Sequence, residues 1–280
     1  MDMVARIGLV AATACSQFGA PEPSLEPVRF SSGGISLGGE IAFPPGSGPF
    51  PAVVLVHGSG PVTRDGNHPM VAPFLAKGIA VLSYDKRGTG QSGGRYRGVG
   101  PLNSDSMIRL LAGDAVAGLE LLARHNRIDK TRLGLAGGSQ AGWIIPNAAA
   151  RFPVRFSVML SGPLVSVGEE NHYSRAFEGS TLSLDWADSV MATFAGPRGY
   201  DPIADILAMK GEAYWVFGGQ DRSIPAVRSA HLADSLIRRL GRTHWRALLL
   251  PSGDHSLFGP DGRSLDVFPP MQSWLEAILR

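Results

Sequence analysis

The stretch that decides the fold is residues 132–142, RLGLAGGSQAG, which joins a short apolar strand, a serine among small residues and the start of a helix. Leu133, Leu135 and Ala136 have the character of the end of a buried strand. Apolar residues resume at Trp143 and continue to residue 145, where a helix is needed to bury them. The sequence therefore places Ser139 at a tight turn between a strand and a helix.

The geometry of such a turn gives Ser139 its chemical interest. The turn forces a strained backbone conformation, which small neighbours tolerate because a larger side chain would collide with the strand or the helix. It lifts the hydroxyl clear of the sheet and directs the amide of Gln140 at the place where an oxyanion would form. The pattern is close to G-x-S-x-G, with Ala141 as the second small residue. A glycine-rich turn without a catalytic role is the alternative, since a chain with 36 glycines produces such pentapeptides by chance.

The composition is that of an ordinary globular chain of 280 residues, 44% hydrophobic and 18% charged. That length buries roughly three quarters of the unfolded surface and fits one large α/β domain as well as two small ones. A net charge of +2, with scattered basic residues, argues against nucleic acid as a partner. The one cysteine, Cys15, excludes an internal disulfide framework and a multi-cysteine metal site.

Residues 1–27 have the features of a targeting segment followed by a linker. Arg6 precedes a short apolar run over residues 7–12, and small residues then lead to Cys15. The run is too short to span a bilayer. The segment resembles a bacterial lipoprotein signal, which implies export to the periplasm or cell envelope and membrane attachment through a lipid on Cys15. The alternative is a start without a targeting role, in which case the protein is cytoplasmic.

From Val28 to the C-terminus, predicted strands alternate with predicted helices. An antiparallel start is predicted over residues 28–30, 35–37 and 40–43, with paired glycines separating the strands. Besides the strand before Ser139, buried strands are predicted at residues 52–56, 79–84, 156–160, 213–217 and 245–250, and helices at 71–77, 105–125, 226–240 and 267–279. This alternation predicts an α/β fold with a mostly parallel sheet covered on both faces, as one domain over residues 28–280.

A serine nucleophile requires a histidine to take its proton and a carboxylate to orient that histidine. The predicted strand at 213–217 leads into Gly218-Gly219-Gln220-Asp221, and the strand at 245–250 leads into a loop that ends in His255. Because open α/β sheets build their sites at the carboxyl ends of the strands, both side chains should lie at the same sheet edge as Ser139.

The order Ser, Asp, His, in these contexts, resembles the α/β-hydrolase family from about Val28 to the end of the chain. HGSGP at residues 57–61 and SYDKRGTGQSGG at residues 83–94 resemble bacterial carboxylesterases related to the serine aminopeptidase and dienelactone hydrolase branches. The resemblance implies that Ser139 is the nucleophile, His255 the general base and acid, and Asp221 the orienting acid. It also implies a helical lid insertion at about residues 163–210.

The second oxyanion donor should come from the loop after the strand at 52–56, which would lie opposite the nucleophile turn. We expect the backbone amide of Ser59 to pair with that of Gln140, with Gly60 as the alternative donor. His57, Gly58 and Gly60 are then beside the substrate. His57 is interpreted as a ring that holds the loop rather than as a base.

Other candidates are weaker. Trp143 is either a substrate contact or a packing residue. Asp254 adjoins His255, but neighbours in sequence rarely face each other as a triad requires. Residues 88–93, GTGQSG, match a dinucleotide motif, yet further glycines and Pro101 follow where a helix should open. No cofactor is therefore expected, and the sequence contains no H-E-x-x-H or Cys-His pattern for a metal.

The leading functional hypothesis is hydrolysis of an ester or thioester with an uncharged acyl group of modest size, through an acyl-enzyme on Ser139. The alternatives are a small serine aminopeptidase or amidase, and a non-catalytic binder on a hydrolase scaffold. Aromatic and methionine side chains of the insertion either line an acyl pocket or pack among themselves; they are Tyr173, Phe177, Trp186, Met191 and Phe194.

Overall fold

The computed structural model describes residues 23–280, apart from the side chains of residues 67 and 68. Eight strands form one sheet, and they are β1 (Ser24–Ser32), β2 (Ile35–Phe43), β3 (Phe50–Val56), β4 (Ala80–Tyr84), β5 (Ile128–Gly138), β6 (Phe156–Leu160), β7 (Glu212–Gly218) and β8 (Arg246–Leu250). Their order across the sheet is β1-β2-β4-β3-β5-β6-β7-β8. The predicted export signal, including Cys15, lies outside the described residues.

The sheet is mostly parallel, as predicted. Only β1 and β2 run antiparallel to their neighbours, and every pairing from β4 through β3 to β8 is parallel. The central strands β3 and β4 are buried along almost their whole length because both of their faces are covered, which explains their continuous apolar sequence. The carboxyl ends of β3 to β8 consequently share one edge of the sheet.

Eight helices accompany the sheet in the described part of the chain. They are α1 (His68–Leu75), α2 (Ser104–Arg124), α3 (Ala141–Arg151), α4 (Val167–Phe177), α5 (Ala187–Ala192), α6 (Ile203–Ala208), α7 (Ala226–Leu240) and α8 (Phe268–Leu279). Apolar residues of α2, α3 and α7 form a core on one face of the sheet, while those of α1 and α8 form a second core on the other. The prediction of a doubly covered sheet is therefore confirmed. No helix within residues 23–280 has the length and apolar character needed to cross a membrane.

The antiparallel start differs from the prediction. The first strand begins at Ser24, four residues before Val28, and β2 is one continuous strand rather than two. Gly38 and Gly39 lie inside β2, where a Cβ on Gly39 would approach the carbonyl oxygen of Ser83 to 2.8 Å. Gly38 and Gly39 therefore permit a close approach between β2 and its neighbours and do not end a strand, whereas Gly33 and Gly34 separate β1 from β2 as predicted.

The segment between β6 and β7 contains the three helices α4, α5 and α6. A capping box fixes the start of α4, where Ser166 and Glu169 satisfy each other's backbone amides. We call residues 163–210 the insertion. Its role as a lid stays a prediction.

Candidate active site

Ser139 lies directly after β5 with a left-handed backbone, φ +56°, and α3 begins two residues later. Its neighbours are small for a steric reason: a Cβ on Gly137 would collide with the carbonyl oxygen of Val56, and one on Gly142 would lie 2.5 Å from the Cα of Gly162. The amide of Ser139 donates to the carbonyl oxygen of Leu160 at 2.9 Å, which ties the turn to β6. The strained turn expected from the sequence is present.

His255 and Asp221 form a hydrogen-bonded pair. Nδ1 of His255 lies 2.8 Å from Oδ2 of Asp221, a carboxylate that is only 1% exposed. The other carboxylate oxygen accepts the amides of Ser223 at 2.8 Å and Ile224 at 3.0 Å. Three donors thus hold one buried carboxylate in a fixed orientation, which in turn fixes the tautomer of the histidine ring.

The loops that carry this pair are bound to each other by backbone contacts. The amide of Gly219 donates to Leu250 and that of Gln220 to Gly253, both at 2.7 Å. A Cβ on Gly219 would approach the carbonyl oxygen of Pro251 to 2.7 Å. Glycine after β7 therefore allows the acid loop to lie against the histidine loop.

The ring of His255 carries opposing influences on its charge. Burial disfavours the imidazolium, but the hydrogen bond to Asp221 and the interactions with the acidic groups of Asp221, Glu170 and Glu178 outweigh burial and raise the pKa of His255. Among residues 23–280 no hydrogen bond joins the ring to the Ser139 hydroxyl. Contacts of this kind often tighten only when substrate binds. The role of Ser139 as nucleophile stays a prediction.

Asp254, the rival acid, serves its own loop. Its Oδ1 accepts the amides of Ser256 and Phe258, both at 2.9 Å, while the carboxylate of Asp221 holds His255. The choice of Asp221 over Asp254 from the sequence agrees with this arrangement.

The loop after β3 lies against the nucleophile turn. A Cβ on Gly58 would be 3.4 Å from the carbonyl oxygen of Gly138 and 3.7 Å from the Cβ of Ser139. Within residues 23–280 the amides of Ser59, Gly60 and Gln140 have no recorded hydrogen-bond acceptor. Amides without an intramolecular acceptor beside a serine hydroxyl are suited to stabilising an oxyanion. Because both amides are without an acceptor, this observation does not distinguish Ser59 from Gly60, and Ser59 stays the predicted donor.

His57 is a buried, neutral ring. It is 2% exposed, and its Nε2 donates to the carbonyl oxygen of Tyr84 at 2.6 Å. Burial lowers the pKa of His57 to about 4, so the ring does not carry charge near neutral pH. This geometry agrees with the interpretation of His57 as a support for the loop. A direct contact with substrate stays a prediction for His57.

Trp143 has a packing role. Its indole is 4% exposed and donates to the carbonyl oxygen of Val165 at 2.9 Å, which anchors the start of the insertion to α3. These contacts are those of a packing residue. No contact described for Trp143 supports its assignment as a substrate-binding residue.

Sequence reasoning did not single out Lys86, which lies two residues after β4. Its ammonium donates to the carbonyl oxygens of Gly58 at 2.7 Å and Gly60 at 3.0 Å, and to Oε1 of Gln140 at 3.0 Å. The sequence feature that could have identified Lys86 is its position close to the end of a fully buried strand, because a charged side chain there needs a specific partner.

Glu170, on α4, was also missed. Burial raises the pKa of Glu170 to about 8, and the group interacts electrostatically with His255, Glu178 and Asp221. Tyr173, one turn further along α4, donates its hydroxyl to the carbonyl oxygen of Asp221 at 2.8 Å, so this face of the helix is turned to the acid loop. No local pattern in the sequence predicts this approach, because it depends on how the insertion packs.

The glycine loop over residues 88–93 surrounds a carboxylate. Oδ2 of Asp85 accepts the amide of Gln91 at 2.8 Å, and a Cβ on Gly90 would collide with that carboxylate. Arg87 pairs with Asp114 inside the core. The loop therefore has a structural role, since it encloses the buried carboxylate of Asp85. In the described part of the chain, no group of three or more His, Cys, Asp or Glu side chains could hold a metal ion.

A model of the prolyl oligopeptidase family matches residues 68–280. The chain belongs to this family. The matched region begins after the Gly58–Gly60 loop and includes Ser139, Asp221 and His255. The resemblance to α/β-hydrolases inferred from the sequence is confirmed.

Among curated proteins, esterase EstD of Thermotoga maritima is 34% identical over 134 residues, which are 45% of this chain and 30% of that protein. The aligned part of the chain thus spans under a third of the length of that relative. Among solved structures, the Pyrococcus furiosus esterase Pf2001 is 17% identical, with a TM-score of 0.66 over 92% of this chain and 90% of that one. A putative dienelactone hydrolase from Klebsiella pneumoniae is 17% identical, with a TM-score of 0.63 over 91% and 99%. At these identities the solved structures establish the fold.

Proposed function

We propose that this protein is a serine hydrolase that cleaves carboxylic esters, or thioesters, of modest size through an acyl-enzyme on Ser139. The observation that carries the proposal is the 2.8 Å hydrogen bond between His255 and buried Asp221, at the sheet edge where Ser139 occupies a left-handed turn. The naming of EstD and Pf2001 as esterases supports ester substrates. Among the contacts made by residues 23–280, none favours the aminopeptidase or amidase alternative.

In the proposed reaction, the Ser139 oxygen attacks the carbonyl carbon of the ester while His255 Nε2 accepts the hydroxyl proton. The negative charge that develops on the carbonyl oxygen is stabilised by the amides of Ser59 and Gln140. His255 then gives its proton to the departing alcohol. A water molecule, activated by the same ring, attacks the acyl-enzyme, releases the carboxylic acid and restores the serine.

The charges around His255 bear on the acyl group. Three carboxyl groups interact with the ring, those of Asp221, Glu170 and Glu178. Burial keeps Glu170 largely protonated at neutral pH, but an anionic acyl group would still meet the repulsion of the Asp221 and Glu178 carboxylates, which supports an uncharged substrate. The aromatic residues of the insertion give less guidance, because Tyr173, Phe177 and Met191 are buried against one another as a packing cluster.

The proposal is tested by hydrolysis of a panel of esters of graded acyl length, with amino-acyl arylamides alongside, by the wild type and by Ser139→Ala. We expect turnover of short esters, with kcat reduced at least roughly a thousandfold in Ser139→Ala. A fluorophosphonate should label the wild type and leave Ser139→Ala unlabelled.

Ser223→Ala is the matched control, since it removes a serine hydroxyl beside Asp221 while the Ser223 amide that holds the carboxylate remains. Its kcat should stay near that of the wild type. Retained turnover in Ser139→Ala would refute the assignment of the nucleophile. Turnover of arylamides in preference to esters would favour the aminopeptidase alternative, and an unlabelled, inactive wild type would favour a binder.

We also propose that the protein is exported and attached to the membrane through a lipid on Cys15. The small residues before Cys15 and the short apolar run at residues 7–12 support this. Incorporation of a labelled fatty acid by the wild type, but not by Cys15→Ser, is the expected result in a bacterial host. Equal incorporation, or none by either protein, would refute it.

A further inference from the structure

Lys86 is a buried cation without a carboxylate partner among residues 23–280. The side chain is 1% exposed, and its ammonium makes three hydrogen bonds, all to uncharged oxygens. Burying an ammonium in this way is unfavourable unless each of its protons finds an acceptor. Three protons and three acceptors satisfy this condition, and all three acceptors belong to the segments that supply the proposed oxyanion donors.

The first acceptor fixes the orientation of one peptide plane. The carbonyl oxygen of Gly58, 2.7 Å from Lys86 Nζ, belongs to the same peptide unit as the amide of Ser59. A peptide unit is planar and its C=O and N–H point in opposite directions. By holding that oxygen on one side, Lys86 orients the Ser59 N–H toward the other side and polarises it. The competing amide, that of Gly60, belongs to a peptide unit whose oxygen Lys86 does not contact.

The second and third acceptors connect the two sides of the site. The carbonyl oxygen of Gly60 lies 3.0 Å from Nζ, so the loop is held at two points. Oε1 of Gln140 also lies 3.0 Å away, and the amide of that residue is the other proposed donor. The ring of Tyr96 covers the ammonium, with its centroid 3.8 Å from Nζ. One cation therefore bridges the loop after β3 and the nucleophile turn.

We infer that Lys86, in its charged ammonium form, is the positioning residue of the oxyanion hole. It holds the Ser59 amide and Gln140 in a fixed position relative to each other. This inference rests on the proposed function, since it assigns a cause to the geometry of that same site. It also selects Ser59 over Gly60 as the second donor.

The charge of Lys86 should depend on pH near neutrality. Burial lowers its pKa to about 7, and the groups that face it are neutral His57, Tyr96 and the amide of Gln140. The adjacent charges are paired elsewhere, Asp85 with Arg64 and Arg87 with Asp114. Above the pKa the neutral amine has two protons for three acceptors and no longer polarises the Ser59 peptide.

The test compares ester hydrolysis by the wild type, Lys86→Met and Lys86→Gln. Losing one oxyanion donor typically lowers kcat on the order of a hundredfold or more, and we expect a loss of that size with little change in KM, because the oxyanion exists only in the transition state. The Lys86→Gln protein keeps neutral N–H donors for the loop, so it separates loss of charge from loss of folding. Thermal unfolding and the final extent of fluorophosphonate labelling of Ser139 report the folded fraction.

A pH profile distinguishes positioning from a purely structural role. In the wild type kcat/KM should fall above about pH 7 as Lys86 loses its proton, and Lys86→Gln should lack this alkaline limb while it keeps the acid limb set by His255. Tyr96→Phe is the comparison variant: it removes a hydroxyl that accepts from Gln140 Nε2 at 3.2 Å, so kcat can fall, but it keeps the ring over the ammonium and should keep the alkaline limb.

Wild-type kcat in both Lys86 variants, or alkaline limbs parallel to that of the wild type, would overturn the inference. So would a loss of kcat fully accounted for by a smaller labelled fraction. Failure of the proposed function itself is a different result: the wild type would then show neither ester turnover nor labelling at Ser139.

Discussion

At His255 the environment favours the charged ring in spite of its burial. The carboxylate of Asp221 is its direct partner and the main source of the effect, and the carboxylate of Glu178 adds to the negative potential. A proton-accepting histidine must be neutral before the reaction begins. The raised pKa therefore sets the lower pH limit of activity, since the neutral base becomes abundant only above it.

The first prediction concerns Asp221→Asn. On the acid limb of the wild-type profile, below the alkaline limb assigned to Lys86, kcat/KM should rise with a midpoint above about 6.5, the ordinary value for histidine. In Asp221→Asn burial still disfavours the imidazolium while the main opposing charge is gone, so the midpoint should move below that value. The fall in kcat should be on the order of 10⁴-fold, as found when the orienting acid of a serine protease triad is replaced. The measurement is the pH dependence of kcat/KM.

Asp254→Asn provides the comparison, because that carboxylate binds only backbone amides of its own loop. Its acid limb should coincide with that of the wild type. A midpoint that stays fixed in Asp221→Asn would show that Asp221 does not govern the charge of His255.

At the scale of elements, the loop after β4 is organised by one carboxylate. Oδ1 of Asp85 accepts the amide of Arg64 at 2.9 Å, and Oδ2 accepts the Arg64 guanidinium and the amide of Gln91, both at 2.8 Å. Burial alone would raise the pKa of Asp85, but these hydrogen bonds outweigh it and lower the pKa to about 2. This loop carries Lys86, so its stability also matters for the site.

The second prediction follows from that depressed pKa. An aspartate whose pKa is about 2 when folded and about 3.9 when unfolded contributes roughly 2–3 kcal/mol of stability at neutral pH. This contribution is present above the unfolded pKa and is lost as pH falls toward about 2. Asp85→Asn should therefore lower the free energy of unfolding by roughly that amount at pH 7, and by about half as much at pH 3, where the unfolded carboxyl is already largely protonated.

Urea unfolding at both pH values measures this difference. Asp65→Asn is the control, because Asp65 is an exposed carboxylate in the neighbouring turn. This substitution should change the free energy of unfolding little at either pH. A deficit in Asp85→Asn that is as large at pH 3 as at pH 7 would mean that lost packing, and not lost charge, destabilises the variant.

Local sequence patterns predicted most of these helices and strands. The features that were not predicted depend on tertiary packing, which local patterns do not encode. The sequence predicts β3 from a continuous run of apolar residues, and it predicts α2 from apolar residues at helical spacing. Gly38 and Gly39 were misinterpreted because a close approach to β4 has no local signal. Glu170 is near His255 only because the insertion folds back over the acid loop, and nothing in the sequence of α4 encodes that position.

For the whole molecule, the insertion and the acid loop are joined as one unit. The guanidinium of Arg222, next to Asp221, donates to the carbonyl oxygens of Phe177, Ser180 and Leu182. From the other side, Tyr173 donates to the carbonyl oxygen of Asp221. A movement of the insertion is thereby coupled to the acid loop, although the contact of Asp221 with His255 does not involve Arg222.

The third prediction tests this connection. Arg222→Met removes three hydrogen bonds that close the chain after α4, so residues 178–183 should open more often. Loss of a single hydrogen bond, about 1 kcal/mol, speeds proteolysis through local opening about fivefold, so the loss of all three should speed it at least about fivefold. Limited proteolysis with mapping of the cut site measures the effect, and kcat on a short ester should remain within a few-fold of the wild type.

Arg228→Met is the matched control, because this exposed arginine of α7 changes the charge equally. Its cleavage rate should equal that of the wild type. Unchanged cleavage in Arg222→Met would show that packing of the buried cluster alone holds the insertion in place.

The left-handed backbone at Ser139 also predicts which substitution would accumulate at this position if the serine hydroxyl were no longer needed. A serine with positive φ is less favourable than glycine by roughly 1–2 kcal/mol, because only the residue without a Cβ escapes the steric penalty. Selection for folding alone would thus replace the serine by glycine and gain stability. A copy of this chain that no longer needs a nucleophile should therefore gain stability from Ser139→Gly, and this substitution should be among the first that it accumulates.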